Sequence, residues 1–346
     1  MICLLCGFAA AESDDEAARA QRHEWVEGML RAATGAVYAD ESALRADMTD
    51  AEIEQRRADL AAYRADTEIW LLAAFNASAE DVDVSAAWAR FQENEYGRAW
   101  LDVLRGLGAE TAEDGLRAAR EICAEWLAEI DPARLTEINA DYACWIYAPD
   151  SPIDYPIVHG ADNETYLHRM FDGTRNAAGT LFIDCRNLPD FQDPNTLIYG
   201  HHMRNDSMFG TLDHYAQAGY YDAHPWLLLI APDRVDLLDV IAGYTTSDKD
   251  HCYDIAISDE DDKRAFVDQA IAKSDFISSA ELQEGDSLVT LSTCAYAFEH
   301  ARYIIICKRS AFDPSSGQCP PPAAAALPTV SAASNYRIVN DESMSP

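Results

Sequence analysis

Two periodicities divide this chain. Up to about residue 130 the large apolar side chains recur at helical intervals. The stretch TDAEIEQRRADLAAYRADTEIWLLAAF (49–75) shows this best: Thr49 and Glu52 form a capping-box signature, and Ile53, Leu60, Tyr63, Trp70 and Leu71 follow near the period of a helix. Residues 85–108, closing on glycine, and 111–130 repeat the theme. Five of the seven tryptophans (Trp25, Trp70, Trp88, Trp100, Trp126) fall here, which a solvated coil would not need, so the pattern predicts a helical bundle.

Asp131-Pro132 punctuates the boundary, and short β-type runs broken by turn residues follow. Strands are expected over 144–149, 154–158, 180–185, 196–202, 226–232, 235–246, 287–295 and 302–308, with helices at 163–171 and 259–276. Many short strands with few helices suggest a small barrel or sandwich. Beyond Phe312 the chain turns rich in Pro, Ala and Ser, the composition of a flexible tail. The expected division is therefore 1–135 acidic and helical, 136–311 β-rich, and 312–346 tail.

Charge narrows the partners. With 60 acidic against 26 basic residues the formal net charge is −34, which argues against nucleic acid, because phosphate recognition needs clustered Lys and Arg. The opening MICLLCGF lacks a basic n-region and is followed by ESDDE, so it fails as a signal peptide and as a spanning helix; the chain as written reads as soluble. Its Cys3–Cys6 pair has no second pair at zinc-like spacing. Nine cysteines, odd in number and widely scattered, read as mostly reduced.

One cysteine has company. Cys294 ends the apolar run in TLSTC, and Arg302 heads the next run eight residues later. If the two strands are neighbours, a fixed positive charge would favour the thiolate and stabilise an oxyanion. In NTLIYGHHMRNDSMFG (195–210), His201 stands at a strand end, where it could protonate a leaving amine. Such a Cys, His and Arg set is an acyl-transfer site; from spacing alone, a buried cysteine with a surface arginine is the stronger reading.

Three segments, 138–187, 193–215 and 290–306, closely resemble the class B sortases of Gram-positive bacteria. The resemblance covers roughly residues 136–311, with the elements in the family order and a long helix ahead of the cysteine strand. It implies an α+β fold: a closed sortase β-barrel of about eight strands, here preceded by a separate helical region. It also implies a cysteine transpeptidase with Cys294 as nucleophile, His201 as acid and Arg302 as the stabilising cation. By similarity Asn163, Leu167 and Ser292 line the substrate groove; read from the residues alone they are a helix cap, a core leucine and a strand hydroxyl.

The implied reaction cleaves a C-terminal sorting signal of a surface protein after a threonine, through a thioacyl enzyme, and passes it to an amine of the cell wall or a pilin. No cofactor is needed for this chemistry. No metal site is expected either: the carboxylates of DEDD (259–262) suit the start of a helix rather than calcium. The family carries a membrane anchor directly ahead of the barrel and works at the cell surface, whereas this chain has the acidic helical region in that place. That region could bind a protein partner, and the competing function class is a non-catalytic peptide-binding or interaction protein built around it. The LPTVS stretch (327–331) departs from an L-P-x-T-G signal at its fourth and fifth positions and is read as tail.

Overall fold

The computed structural model describes residues 13–34, 49–76, 82, 84–94 and 96–310. The Cys3–Cys6 pair, Cys319, the LPTVS stretch and the expected tail lie outside these residues.

Helices α1 (Ser13–Thr34), α2 (Asp50–Phe75), α3 (Ser85–Glu93), α4 (Gly97–Gly106), α5 (Ala112–Leu127) and α6 (Pro132–Ile138) precede the first strand. The capping box of α2 forms as its sequence requires: Glu52 N donates to Thr49 Oγ1 (3.3 Å) and Thr49 N to Glu52 Oε2 (2.7 Å). Tyr63, Trp70 and Leu71 are buried in the bundle, where Trp70 meets Trp88 and Trp100 at ring separations near 6 Å. The single helix expected over 85–108 is two. The chain breaks around Asn94, and Gly97 starts α4 so close beneath Phe91 that a Cβ there would collide with the Phe91 backbone.

The strands β1 (Tyr142–Tyr147), β2 (Asp154–Val158), β3 (Leu181–Ile183), β4 (Asn195–Tyr199), β5 (Trp226–Ile230), β6 (Val235–Ser247), β7 (Ser287–Cys294) and β8 (Ala301–Ser310) close into a barrel in the order β1-β2-β3-β4-β7-β8-β6-β5. The β2–β3 and β4–β7 pairs are parallel and the rest antiparallel. Between β4 and β5 lies the short helix α7 (Tyr220–Ala223); between β6 and β7 lies α8 (Glu260–Lys273), the long helix expected before the cysteine strand. Asp259 caps α8 by accepting from Asp262 N at 2.9 Å, so the first carboxylate of DEDD serves the helix start.

Alternation along each strand sorts side chains between interior and exterior. Ile146, Ile183, Ile198, Leu227, Leu229, Val289, Leu291, Tyr303 and Ile305 fill the barrel. On the outside, α8 lies on Leu288, Ile304 and Ile306, while Tyr166 covers Val158 and Phe182. The exterior of β1, β5 and the start of β6 is covered by the N-terminal helices: Trp145, Tyr147, Trp226, Leu228, Ile230, Val235 and Leu237 share one core with Val26, Met29, Leu30, Trp70 and Trp126. WLLLI (226–230) is apolar throughout because both of its faces are buried. The helical region thus shares a continuous core with the barrel.

The expected helix over 163–171 is a correction. Only a 3₁₀ turn, Thr165–Leu167, forms there. Asp162 Oδ1 accepts from the backbone N–H groups of Glu164 and Thr165, and Asn163 Oδ1 accepts from Cys185 N at 2.8 Å, so side chains take up the groups a helix would use. The chain then turns back as a hairpin in which Arg169 faces Arg175.

Candidate active site

The parallel β4–β7 register sets Tyr199 beside Ser292, and the antiparallel β7–β8 register sets Cys294 beside Arg302. The β4–β7 ladder runs on past the strand end, since Gly200 N donates to Ser292 O (3.1 Å) and Thr293 Oγ1 donates to Gly200 O (2.9 Å). His201, two residues past Tyr199, is thereby brought level with Cys294, two past Ser292. His201, Cys294 and Arg302 form a row across three neighbouring strands spaced about 4.8 Å apart, with the thiol in the middle. All three share the parity of outward-facing residues, and all three are partly exposed.

Exposure separates this cysteine from the others. Among the described residues Cys123, Cys144, Cys252 and Cys307 are buried, and that burial pushes their thiols well up; only Cys185 and Cys294 reach the surface. Cys185 follows β3 beside Asn163, whose Oδ1 accepts from Cys185 N at 2.8 Å.

The histidine is held by backbone. His201 Nε2 lies 2.8 Å from Leu167 O. A carbonyl only accepts, so Nε2 carries a proton in this contact and Nδ1 is the other ring nitrogen. His168 stacks on the other face of the imidazole, with ring centroids 6.3 Å apart and 26° between planes. Gly179 is what lets Leu167 come so near: its φ is +62°, and a Cβ would lie 2.5 Å from Tyr166 O and 2.8 Å from Leu167 O.

The remaining sequence-predicted residues line the same outer face. Ser292 is buried and its Oγ is 2.8 Å from the Tyr253 hydroxyl. Leu167 is half-buried, and Asn163 ties the loop to the end of β3 rather than capping a helix. Sequence reasoning missed three residues. Tyr253 stacks on Tyr199 (6.3 Å, 21°), and burial raises both phenols so that they stay neutral. Tyr199 donates to Asp184 Oδ2 at 2.9 Å; although burial opposes its charge, Asp184 is held below the usual carboxylate range by Arg186 and Tyr199. His168 is the third. Tyr199 could have been found, since it precedes the Gly-His step with outward parity; Tyr253 and His168 sit in irregular segments with no periodic signal.

Among the described residues no cluster of His, Cys, Asp and Glu could hold a metal, and no helix is long and apolar enough to cross a membrane. The arrangement sets a partly exposed thiol between an imidazole and a guanidinium.

Comparison with known proteins places the barrel in a family. Residues 146–310 match the Sortase domain family. The chain is 31% identical over 160 residues to Sortase B of Listeria monocytogenes and 30% identical over 176 residues to Sortase B of Staphylococcus aureus. These matches cover 46% and 50% of this chain and span 65% and 72% of the two relatives. Among solved structures, the Staphylococcus aureus sortase B–substrate complex superposes with a TM-score of 0.50 at 28% identity, over 53% of this chain and 85% of that one. A mutant form of Clostridium perfringens sortase B gives a TM-score of 0.51 at 28% identity, over 61% and 96%.

Proposed function

The chain belongs to the sortase family, and from that premise we propose that it is a cysteine transpeptidase that cuts a sorting-signal peptide after a threonine and joins the new carboxyl end to an amine. The observation that carries this reading is the row His201, Cys294, Arg302 across β4, β7 and β8.

Cys294 gives its thiol proton to His201 Nδ1, and the resulting thiolate attacks the threonine carbonyl carbon as the carbonyl electron pair moves onto oxygen. Arg302, the direct cross-strand neighbour of Cys294, stabilises first the thiolate and then this oxyanion through charge-assisted hydrogen bonds. As the tetrahedral adduct collapses, the C–N bond breaks and the departing amine takes a proton from His201 Nδ1, leaving a thioester on Cys294. An incoming amine then adds to the thioester carbonyl and gives a proton back to His201. The C–S bond breaks, and Cys294 leaves as thiolate. Leu167 O holds the imidazole by Nε2 throughout, so its other nitrogen faces the leaving and entering amines in turn.

The Staphylococcus aureus structure is of a sortase B with a substrate; by likeness, the peptide here lies along Asn163, Leu167 and Ser292, with Tyr199 and Tyr253 as the aromatic wall beside Ser292. The acceptor is a cell-wall or pilin amine, and the place of action is the cell surface, both by family likeness.

The test is intact-mass spectrometry of the full chain incubated with a library of sorting-signal peptides, with Cys294→Ala as control. A thioacyl adduct at Cys294 that an added amine converts to ligated product supports the reading. If no peptide acylates the folded protein, the reading fails and a peptide-binding role takes its place.

A further inference from the structure

In a chain with 60 acidic and 26 basic residues, the ground beside the proposed catalytic histidine is basic. The hairpin that follows Leu167 is held by Met170 N to Thr174 O (2.8 Å), by Asn176 N to His168 O (3.1 Å) and by Thr180 Oγ1 to Arg169 O (2.8 Å). Its turn carboxylate, Asp172, is occupied by the backbone and hydroxyl of Thr174. The hairpin sets Arg169 opposite Arg175, a like-charge cross-strand pair that costs stability unless an anion offsets it. Arg169 Nη1 is turned to Gly173 O, whereas Arg175 has no acidic partner within ion-pair distance among the described residues. An open pocket of about 270 Å³ lies here, lined by His168, Arg175, Asn176 and Ala177.

Its position relative to the groove is fixed by register. Asp184 N donates to Leu197 O, so Asn163, bonded to Cys185, is level with the upstream half of β4. Phe182 pairs with Tyr199, which puts Thr180 level with His201, and the turn closed by Gly179 N to Asn176 O (3.3 Å) joins Asn176 and Ala177 to that end of the strand. His168 links the two by stacking on His201. The acyl part of the peptide is assigned to Asn163, Leu167 and Ser292, and His168, which follows Leu167, sets the pocket against the imidazole that exchanges protons with the leaving and entering amines.

We propose that the pocket formed by His168, Arg175, Asn176 and Ala177 binds a carboxylate carried by the amine acceptor, and so selects acceptors that bear an anion near their amino group. The assignment to the acceptor rests on the transpeptidase reading; the binding of a carboxylate does not. Arg175 supplies the charge, and the Asn176 amide and His168 ring supply further donors. The overall field of a chain at −34 works in the opposite sense, drawing in cationic amines without a carboxylate. Local and global electrostatics therefore predict opposite preferences.

The experiment uses the full chain and glycine, diglycine and triglycine, each as free acid and as carboxamide. Competing pairs resolve the thioacyl enzyme, and product masses give the acid-to-amide ratio. The expected result is a preference for free acids at one length, a fall in that ratio of about tenfold in Arg175→Gln through a higher KM for the acid, and partial recovery in Arg175→Lys. A preference for amides at every length, or a ratio unmoved by Arg175→Gln, overturns the proposal. Separately, titration of Cys294→Ala with the same peptides, followed by NMR of the His168 ring, should show saturable binding of the acid that Arg175→Gln removes. Absence of that binding, or binding of inorganic phosphate alone, overturns it too. Failure of every peptide to acylate Cys294 with carboxylate binding intact would sink the transpeptidase reading and the acceptor assignment, and leave an anion site.

Discussion

The barrel wears two different outer faces. Over β1, β5 and the start of β6 the outward positions are Trp145, Tyr147, Trp226, Leu228 and Ile230, all buried under the N-terminal helices. Over the ends of β4, β7 and β8 the equivalent positions are Tyr199, His201, Ser292, Cys294 and Arg302, and helix α8 stops short of them. The same alternation builds both faces. One is a largely apolar buried joint; the other leaves a thiol, an imidazole and a guanidinium partly exposed. A change on the first face should appear in stability with the chemistry intact, and a change on the second the reverse.

The sharpest way to break that division is His201→Ala. The side chain is partly exposed and makes one hydrogen bond, to Leu167 O, so the melting temperature should shift little. Acylation by a sorting peptide should fall roughly 10⁴-fold or more, because residues that act as a unit lose most of their effect when one is removed. A loss below about tenfold would mean that proton transfer does not pass through this residue.

On the other face, Trp126→Ala should cost about 3–5 kcal/mol of unfolding free energy. Trp126 reaches from α5 to Tyr147 on β1 (5.2 Å, edge to face), packs on Phe75 and is 2% exposed. Denaturant unfolding checks the size, and single-turnover acylation at low temperature checks the chemistry, which should stay within about twofold. If acylation drops in proportion to stability, the two faces are coupled through the barrel.

The two faces were not equally legible in the sequence. Cys294 and Arg302 could be read because each sits at the end of a strong apolar run, and a strand's end and parity follow from its pattern. Closure of the barrel came from the family resemblance, the helix ahead of the cysteine strand from the pattern of 259–276, and both hold in the structure. The joint was hidden. WLLLI shows that a strand is buried on both faces but not by what, and the helical pattern of 49–75 shows an apolar stripe without its partner. Residues 163–171 misled for a related reason: the tie from Asn163 to Cys185 bridges 22 positions, and Asp162 serves a turn as readily as a helix start.

The smallest expected effect tests whether the joint is as dry as its tryptophans suggest. Glu27 of α1 faces Asp150 and Asp154 of the barrel, with Arg31 and His23 beside it on its own helix; Arg31 is committed to Asp150 through two bonds of 2.8 and 2.6 Å. Burial, reinforced by Asp150, pushes the Glu27 carboxyl up to about 7. The folded chain therefore keeps this proton to near neutrality, while the unfolded chain gives it up at the ordinary carboxylate value. Stability contributed by protonated Glu27 is fully present below the unfolded value and is lost as pH rises through about 7. Glu27→Gln carries no such proton. The variant and the parent should melt alike at pH 4.5, and the variant should be the more stable at pH 8, by on the order of 1 kcal/mol after solvent screening. Asp154, which burial also raises, is present in both proteins and cancels from the difference. Parallel melting curves across this range would show that water reaches Glu27, and that the helical face is held to the barrel by its apolar contacts alone.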